Sequence, residues 1–459
     1  MMNVNWNHQF PRKMSHGGQS TPVVAPDTCF DQLESFHNDR LVLAHIGAAL
    51  NDRGVVERCE ILNVWYIFKR SLQVIYRVRF KNDAESDVIL MVRFFPRGAS
   101  SIGYQAALAG GAHRDAVLHL PSWDAVAWVF PADPELTHLP AMLDRHVVSQ
   151  QLSQLPGGVP LDPDSMTWKL LSYLPGARCS ILYRFAPATP IYVGKLQKGT
   201  LAAQRHRRLA RLWESPQRRF RMPRPIGLDE ALGARWESFV AGQRIEDIFS
   251  EVALRVLLAK GLRDLVNLHR LPMESLPLNG LEQILQRMGR NAMRRLRETL
   301  PPLEPAANDL YHTLERKAAA LPERSMRTIH GDFHTANVLV DGEELIFIDL
   351  DNLARGDPAY DLALFGSRLL LIALHRGERF DEMAGIVADL PAMYVAAGGE
   401  EIPDPVFAWY MAALLVGRQI KTCMRHCAPA LAQLAPACLT YARETLERDR
   451  FEAAIVGGT

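Results

Sequence analysis

The chain has 459 residues, of which 48% are hydrophobic and 22% charged, with a formal net charge of +1. That length favours more than one core, and the composition excludes a wholly disordered or fibrous protein. A charge so near zero gives no global reason to expect nucleic acid or a membrane surface as partner.

Residues 1–30 read as a flexible polar tail without the apolar run of a leader, so a cytoplasmic enzyme is the expectation. The stretch from Asp31 to Leu50 predicts a helix, stopped at Asn51-Asp52-Arg53-Gly54. Leu72–Phe80 and Val88–Phe94 are β-branched and aromatic, with a turn at Lys81-Asn82-Asp83, and read as a hairpin. The pattern recurs in Ser180–Phe185 and Ile191–Leu196, joined by a turn at Pro187–Pro190. Tyr66 precedes Tyr76-Arg77 at the spacing with which Tyr173 precedes Tyr183-Arg184. In both stretches a helical segment follows, then a proline-marked strand: Trp128-Val129-Phe130-Pro131 in the first, Trp236–Val240 in the second. This reads as a degenerate internal repeat, and the Pro/Gly-rich stretch Leu155–Asp164 between its copies reads as a linker or exposed loop.

After Gly242 the apolar spacing turns helical, as in Leu254, Leu257, Leu258, Leu262 and Leu265. Helices continue to the end, interrupted once near residues 337–350. Phe407–Val416 is apolar but too short for a membrane span and reads as a buried helix. Six cysteines are too sparse for a disulfide framework, and Cys423 with Cys427 matches no common zinc spacing. Strands first and helices later predict an α+β architecture. The expected domains are a module over 31–150, a strand lobe over 165–242 and a helical lobe over 243–459.

The chemistry concentrates in Thr328–Asp351. Asn337 opens an apolar strand, Asp341-Gly342 turns the chain, and Ile346–Ile348 returns it. The hairpin brings Asn337 near Asp349, with Asp332 on the loop just before. Three hard oxygen-bearing side chains at one mouth suit Mg²⁺, which takes one or two protein oxygens and fills its octahedron with phosphate and water. Asp332 and Asn337 also have the Asp-x-x-x-x-Asn spacing of a kinase catalytic loop.

His330-Gly331-Asp332-x-x-x-x-Asn337, followed by Ile348-Asp349-x-Asp351, resembles the signature of the aminoglycoside-phosphotransferase/choline-kinase-like family. Gly356-Asp357-Pro358-x-x-Asp361-Leu362-Ala363 resembles that family's next block. The resemblance spans residues 165–375. It implies a protein-kinase-like fold, with a strand-rich N-lobe, a helical C-lobe and an extra N-terminal module like a degenerate second N-lobe. It implies ATP as co-substrate, Mg²⁺, and a small-molecule hydroxyl acceptor. Asp332 would be the catalytic carboxylate, and Asn337 and Asp349 the Mg²⁺ ligands. His330 and His334 would brace the loop, and Asp361 would tie down the following helix. Asp351 would stand behind the metal ligands or face substrate. On the nucleotide side, Lys195 would take the phosphates, with Gly176 on a hairpin above them. Glu237 and Phe239 would belong to an interlobe hinge that holds the adenine edge.

The resemblance also exposes departures. In the first copy Arg93 replaces Lys195, a poor substitute for a compact ammonium, so that copy is expected to be structural. The helix after Lys195, near Leu201–Trp213, has no acid to pair with the lysine, which leaves Gln204 or an acid from elsewhere. The acceptor is expected among residues 275–325 and 366–450. The first of these carries Arg287, Arg290, Arg294, Arg295 and Arg297, which favours a neutral or anionic acceptor such as a sugar or polyol over an aminoglycoside. The short run from Asp351 to Gly356 has no activation segment, which favours a small molecule over a protein acceptor. The alternative is a pseudokinase-like nucleotide-binding scaffold whose N-terminal module binds a protein partner.

Overall fold

The computed structural model describes residues 27–81, 83–110, 114–186, 190–199, 201–424 and 432–452. The N-terminal tail, the turn at Asn82, most of the turn at Pro187–Pro190, and Cys427 lie outside the described residues. The architecture is mixed α+β, with antiparallel strand-rich sheets in the N-terminal region and helices in the C-terminal region.

The first sheet holds β1 (Val56–Ile67), β2 (Ser71–Phe80), β3 (Asp83–Phe94), β4 (Val117–Leu120) and β5 (Ala125–Val129) in the order β1-β2-β3-β5-β4. The second holds β6 (Thr167–Leu174), β7 (Arg178–Arg184), β8 (Tyr192–Gln197), β9 (Pro225–Asp229) and β10 (Ala234–Ser238) in the order β6-β7-β8-β10-β9. The strand order therefore repeats. Each sheet is preceded by a helix, α1 (Asp39–Ala49) and α3 (Arg145–Gln154), and carries a second helix after its third strand, α2 (Ser100–Ala109) and α4 (Leu201–Glu214).

The repeat extends to individual hydrogen bonds. Asp27 Oδ2 accepts from the Tyr66 hydroxyl at 2.8 Å and the Lys69 amide at 2.7 Å. Asp133 Oδ2 accepts from the Tyr173 hydroxyl at 2.6 Å and the Gly176 amide at 2.9 Å. Lys69 and Gly176 both turn the chain at positive φ, 53° and 71°. The Tyr76 hydroxyl donates to Phe36 O at 2.6 Å, and the Tyr183 hydroxyl to Met142 O at 2.7 Å. Asn38 and Asp144 cap α1 and α3 by accepting two backbone amides each. The buried Tyr76 and Tyr183 bonds fasten the segment just before each leading helix to its own sheet. The second copy accordingly starts at Asp133. The expected module boundary at 150 cuts α3, and of the two readings of Leu155–Asp164 the loop holds, inside the second copy.

By packing, the described chain divides into two compact units, residues 27–210 with 224–239, and residues 211–223 with 240–452. The first unit has a core drawn from both sheets, including Ile75, Met91, Trp128, Tyr173, Ile181, Tyr183, Leu196 and Trp236. Packing there is tight at Gly194, where an added Cβ would meet Met142 and Trp236 at 2.8 Å and Tyr183 at 2.9 Å.

The second unit is mostly helical: α5 (Glu251–Arg270), α6 (Leu281–Arg287), α7 (Arg294–Thr299), α8 (Glu304–Ala318), α9 (Pro358–Arg376), α10 (Phe380–Ala396), α11 (Asp404–Leu414), α12 (Lys421–Cys423) and α13 (Ala435–Glu447). Two π-helical turns, Met288–Met293 and Leu415–Ile420, join α6 to α7 and α11 to α12. Two small sheets interrupt the helices. One is β11 (Gln243–Arg244) with β14 (Val338–Asp341) and β15 (Glu344–Phe347). The other is β12 (Leu278–Asn279) with β16 (Ala354–Gly356) and β13 (Arg327–Ile329). As expected, α11 is buried from Val406 to Leu414, and among the described residues no helix is long and apolar enough to cross a membrane.

Candidate active site

The segment from β13 to α9 carries the motif residues, and its backbone is fixed first. Asp361 sits in the first turn of α9 and is fully buried. Its two oxygens accept the backbone amides of His330 (2.7 Å) and Gly331 (3.0 Å). His269 Nε2 lies 3.1 Å from Asp361 Oδ2, and His269 Nδ1 lies 2.7 Å from the Tyr394 hydroxyl. A carboxylate only accepts, so Nε2 carries the His269 proton and Nδ1 accepts from Tyr394. Asp361 therefore ties the helix back to the loop before it. Gly331 completes this corner. Its φ is +73°, and an added Cβ would overlap the Asn352 carbonyl oxygen.

The hairpin then sets the register. Val338 pairs with Phe347, Leu339 with Ile346 and Val340 with Leu345. The Ile348 amide donates to Asn337 O at 3.0 Å, which extends the pairing and brings Asn337 and Asp349 to the same end. His330 Nε2 braces the returning strand through Ile348 O at 3.1 Å. Thr335 adds a tie to the segment after β11, donating from Oγ1 to Glu246 Oε2 at 3.0 Å.

Asn337 is buried, and its Nδ2 donates to Asp332 O at 3.0 Å. That bond fixes the amide orientation and leaves Oδ1 as the atom for a cation. Asp349 takes the left-handed conformation at φ +58°, which costs a non-glycine residue about 1 kcal/mol or more and collects at functional sites. Its carboxylate has no hydrogen-bond or ion-pair partner among the described residues. The same residues hold no group of three His, Cys, Asp or Glu side chains that could bind a metal. Two hard oxygens from Asn337 and Asp349 fit Mg²⁺, which keeps several positions for phosphate and water. Asp351 is buried.

Asp332 is held differently. Asn352 Nδ2 donates to its Oδ2 at 3.2 Å, and Arg418 Nη2 donates to its Oδ1. Burial pushes the Asp332 carboxyl up, but the Arg418 charge, with His334, His330 and the Asn352 bond, outweighs burial and holds it below the ordinary carboxylate range. His334 accepts the Ala336 amide on Nδ1 at 3.2 Å. Burial pushes its pKa down to about 3, so the ring is neutral, and its Nε2 lies 3.2 Å from Asn337 Nδ2 and 3.7 Å from Asp332 Oδ1. Both histidines thus brace the loop. Arg418 carries no sequence signal, since it lies 86 positions from Asp332 in a helical segment and only the fold joins them.

In the first unit Lys195 and Glu237 form an ion pair at 2.8 Å, with side chains 17% and 6% exposed. Lys195 lies opposite Arg235 in the β8–β10 ladder, so Glu237, two residues along, shares its face. The missing acid therefore comes from the neighbouring strand. This corrects the hinge reading of Glu237, whose backbone pairs with β8 on one side and β9 on the other. The Phe239 amide is also committed, donating to Ile191 O at 2.9 Å, so it has no N–H left for an adenine edge. The Gly176 amide is committed too, donating to Asp133 Oδ2. In the first sheet Arg93 lies opposite Val126, and its guanidinium sits 5.5 Å from the Trp128 ring centroid. Register thus matches Trp128 to Glu237 and not to Trp236, and a cation–π contact stands where the second sheet has an ion pair.

Glu237→Gln is expected to keep the fold and loosen Lys195. The Kd for Mg²⁺–ATP, measured by calorimetry, should then rise about tenfold, or ~1.4 kcal/mol. Unchanged affinity would remove Glu237 from nucleotide binding.

Residues 194–397 match the family model described as the phosphotransferase enzyme family. That segment contains Lys195, Glu237 and the whole Thr328–Ala363 motif region, so the resemblance read from the motifs is shown there. No curated protein matches the chain. Similar solved structures include the aminoglycoside phosphotransferase APH(3'')-Id from Streptomyces rimosus, at 19% identity and TM-score 0.40, covering 65% of this chain and 98% of that one. A choline/ethanolamine kinase family protein from Mesorhizobium loti is 16% identical with TM-score 0.43, covering 67% and 94%. Choline kinase from Cryptosporidium parvum is 9% identical with TM-score 0.46, covering 66% and 96%.

Proposed function

We propose that this chain, which carries a phosphotransferase-family segment over residues 194–397, transfers the γ-phosphoryl of ATP to a hydroxyl of a small molecule: a sugar, a polyol or an amino alcohol. The carrying observation is the end of the β14–β15 hairpin. Asn337 and Asp349, whose carboxylate has no partner among the described residues, stand at the same end of that hairpin, and Asp332 is held separately by Asn352 and Arg418.

Phosphoryl transfer is mainly positioning and charge neutralisation. Mg²⁺ held by Asn337 and Asp349 would neutralise charge on the phosphates. Asp332 accepts a hydrogen bond from the acceptor hydroxyl and takes its proton as the new O–P bond forms. With its pKa held low, Asp332 is a weak base and acts mostly by orienting the hydroxyl. Neutral His334 keeps the loop in place without competing for that proton. Lys195, positioned by Glu237, is the phosphate-binding cation in this reading.

The test is ADP release from Mg²⁺–ATP against pools of small hydroxyl compounds, with no protein acceptor added. Asp332→Asn should lower acceptor-dependent release by about 10²–10⁴-fold. The acid limb of kcat/KM should lie below the ordinary carboxylate pKa of about 3.9. Arg418→Gln removes the charge that opposes burial, so the Asp332 pKa rises and the limb should move to higher pH. ATP binding that raises the melting temperature without turnover in any pool would favour the pseudokinase scaffold.

A further inference from the structure

We infer that the acceptor carries a carboxylate or phosphate close to the hydroxyl that is phosphorylated, and that Arg418 and Arg287 bind that group. The inference rests on the phosphotransferase reading and narrows its acceptor class.

The second unit contains two π-helical turns. A π-turn adds a residue to the helical repeat and re-aims the side chains around it, often at functional sites. The turns Met288–Met293 and Leu415–Ile420 pack on each other, and an added Cβ at Gly417 would lie 3.3 Å from Met288 Cγ. Arg287 immediately precedes the first turn, and Arg418 lies within the second. Arg418 reaches Asp332 Oδ1. Arg287 Nη2 is held by Asn279 Oδ1, and Asn279 pairs with Gly356 just before α9. Tyr360, in the first turn of α9, lies within charge reach of Arg418, Arg287, Asp332 and Asp361. Arg368, further along α9, lies within charge reach of Arg418 and His334.

Arg287 and Arg418 keep donors that no carboxylate among the described residues takes. Glu246 faces Arg368. Arg287 has only the neutral Asn279 amide and no carboxylate partner among the described residues. Arg418 touches Asp332 with one nitrogen, and its side chain is 42% exposed. Its other guanidinium nitrogens have no hydrogen-bond partner among the described residues. A guanidinium offers five donors in a planar fork that matches carboxylate and phosphate. A hydroxyl hydrogen-bonded to Asp332 would place the rest of its molecule beside these donors. An ammonium has no acceptor for these donors and gains nothing from the two guanidiniums, which disfavours amino alcohols and aminoglycosides.

The experiment uses the full chain with Mg²⁺–ATP and matched acceptor series. One series is glycerol, glycerate, glycerol phosphate and 2-amino-1,3-propanediol. The other is glucose, gluconate, glucose 6-phosphate and glucosamine. Binding is measured by calorimetry and turnover by ADP release, for wild type, Arg418→Gln, Arg287→Gln and the double variant. The expected result is an anionic member bound at least tenfold more tightly than its neutral counterpart. Most of that ratio should be lost in Arg418→Gln, and all of it in the double variant. Carboxylate against phosphate members identify the source of the charge. The inference is overturned if a neutral or ammonium member binds best, if the preference survives in the double variant, or if no anionic member binds. Arginine-dependent anion binding without any ATP turnover would instead sink the phosphotransferase reading while leaving the anion site standing.

Discussion

Asp361→Ala is expected to cost roughly 3–5 kcal/mol of stability, because it removes a buried charged acceptor and leaves its donors unsatisfied. The orphaned groups are the amides of His330 and Gly331 and the His269 Nε2–H, all within the buried corner between α5, α9 and the loop. Water does not reach the Asp361 position, which is fully buried, so nothing replaces the lost acceptor. In a unit of this size the cost lowers the melting temperature by roughly 10 °C. Asp361→Asn keeps one accepting oxygen and should fall between wild type and alanine. Thermal unfolding followed by circular dichroism measures both. An alanine variant melting with wild type would mean that Asp361 does not hold the loop.

Asp349→Asn should separate function from stability. Asparagine has nearly the same shape and tolerates the left-handed conformation at least as well as aspartate. The wild-type carboxylate has no partner among the described residues to lose. Melting without nucleotide should therefore stay within about 0.5 kcal/mol of wild type, the usual range for a change that breaks no contact. Activity should fall by about 10²–10³-fold, since charge neutralisation by a bound metal supplies several kcal/mol in such a transfer. The Mg²⁺ concentration for half-maximal turnover should rise as well. A variant with wild-type Mg²⁺ dependence would show that Asp349 does not hold the metal. Loss of activity together with a large loss of stability would place Asp349 in the scaffold.

The sequence by itself determined the parts of this protein that are local in the chain. Asn337 and Asp349 meet because an apolar hairpin with an Asp341-Gly342 turn has only one register that buries both strands. Asp332 is placed by its short spacing to Asn337. The α+β order followed from the switch from strand-like to helical spacing after Gly242. The repeat was visible in Tyr66, Tyr76, Tyr173 and Tyr183, whose hydroxyls turn out to fasten each sheet to the segment before it.

Tertiary structure decided everything that depends on partners distant in sequence. The acid for Lys195 was sought on the next helix, but two adjacent strands place Glu237 on its face, and cross-strand register is not written in local composition. The amides of Gly176 and Phe239 are likewise taken by groups distant in sequence, Asp133 and Ile191. Copy boundaries moved to Asp133 because one buried carboxylate joins a loop to a tyrosine 40 positions away. Arg418 came from 86 positions beyond Asp332, on a helix whose π-turn has no compositional mark. Hydrophobic periodicity reports which face of an element is buried. It does not report which charged group waits across the contact, and that choice sets the electrostatics of this site.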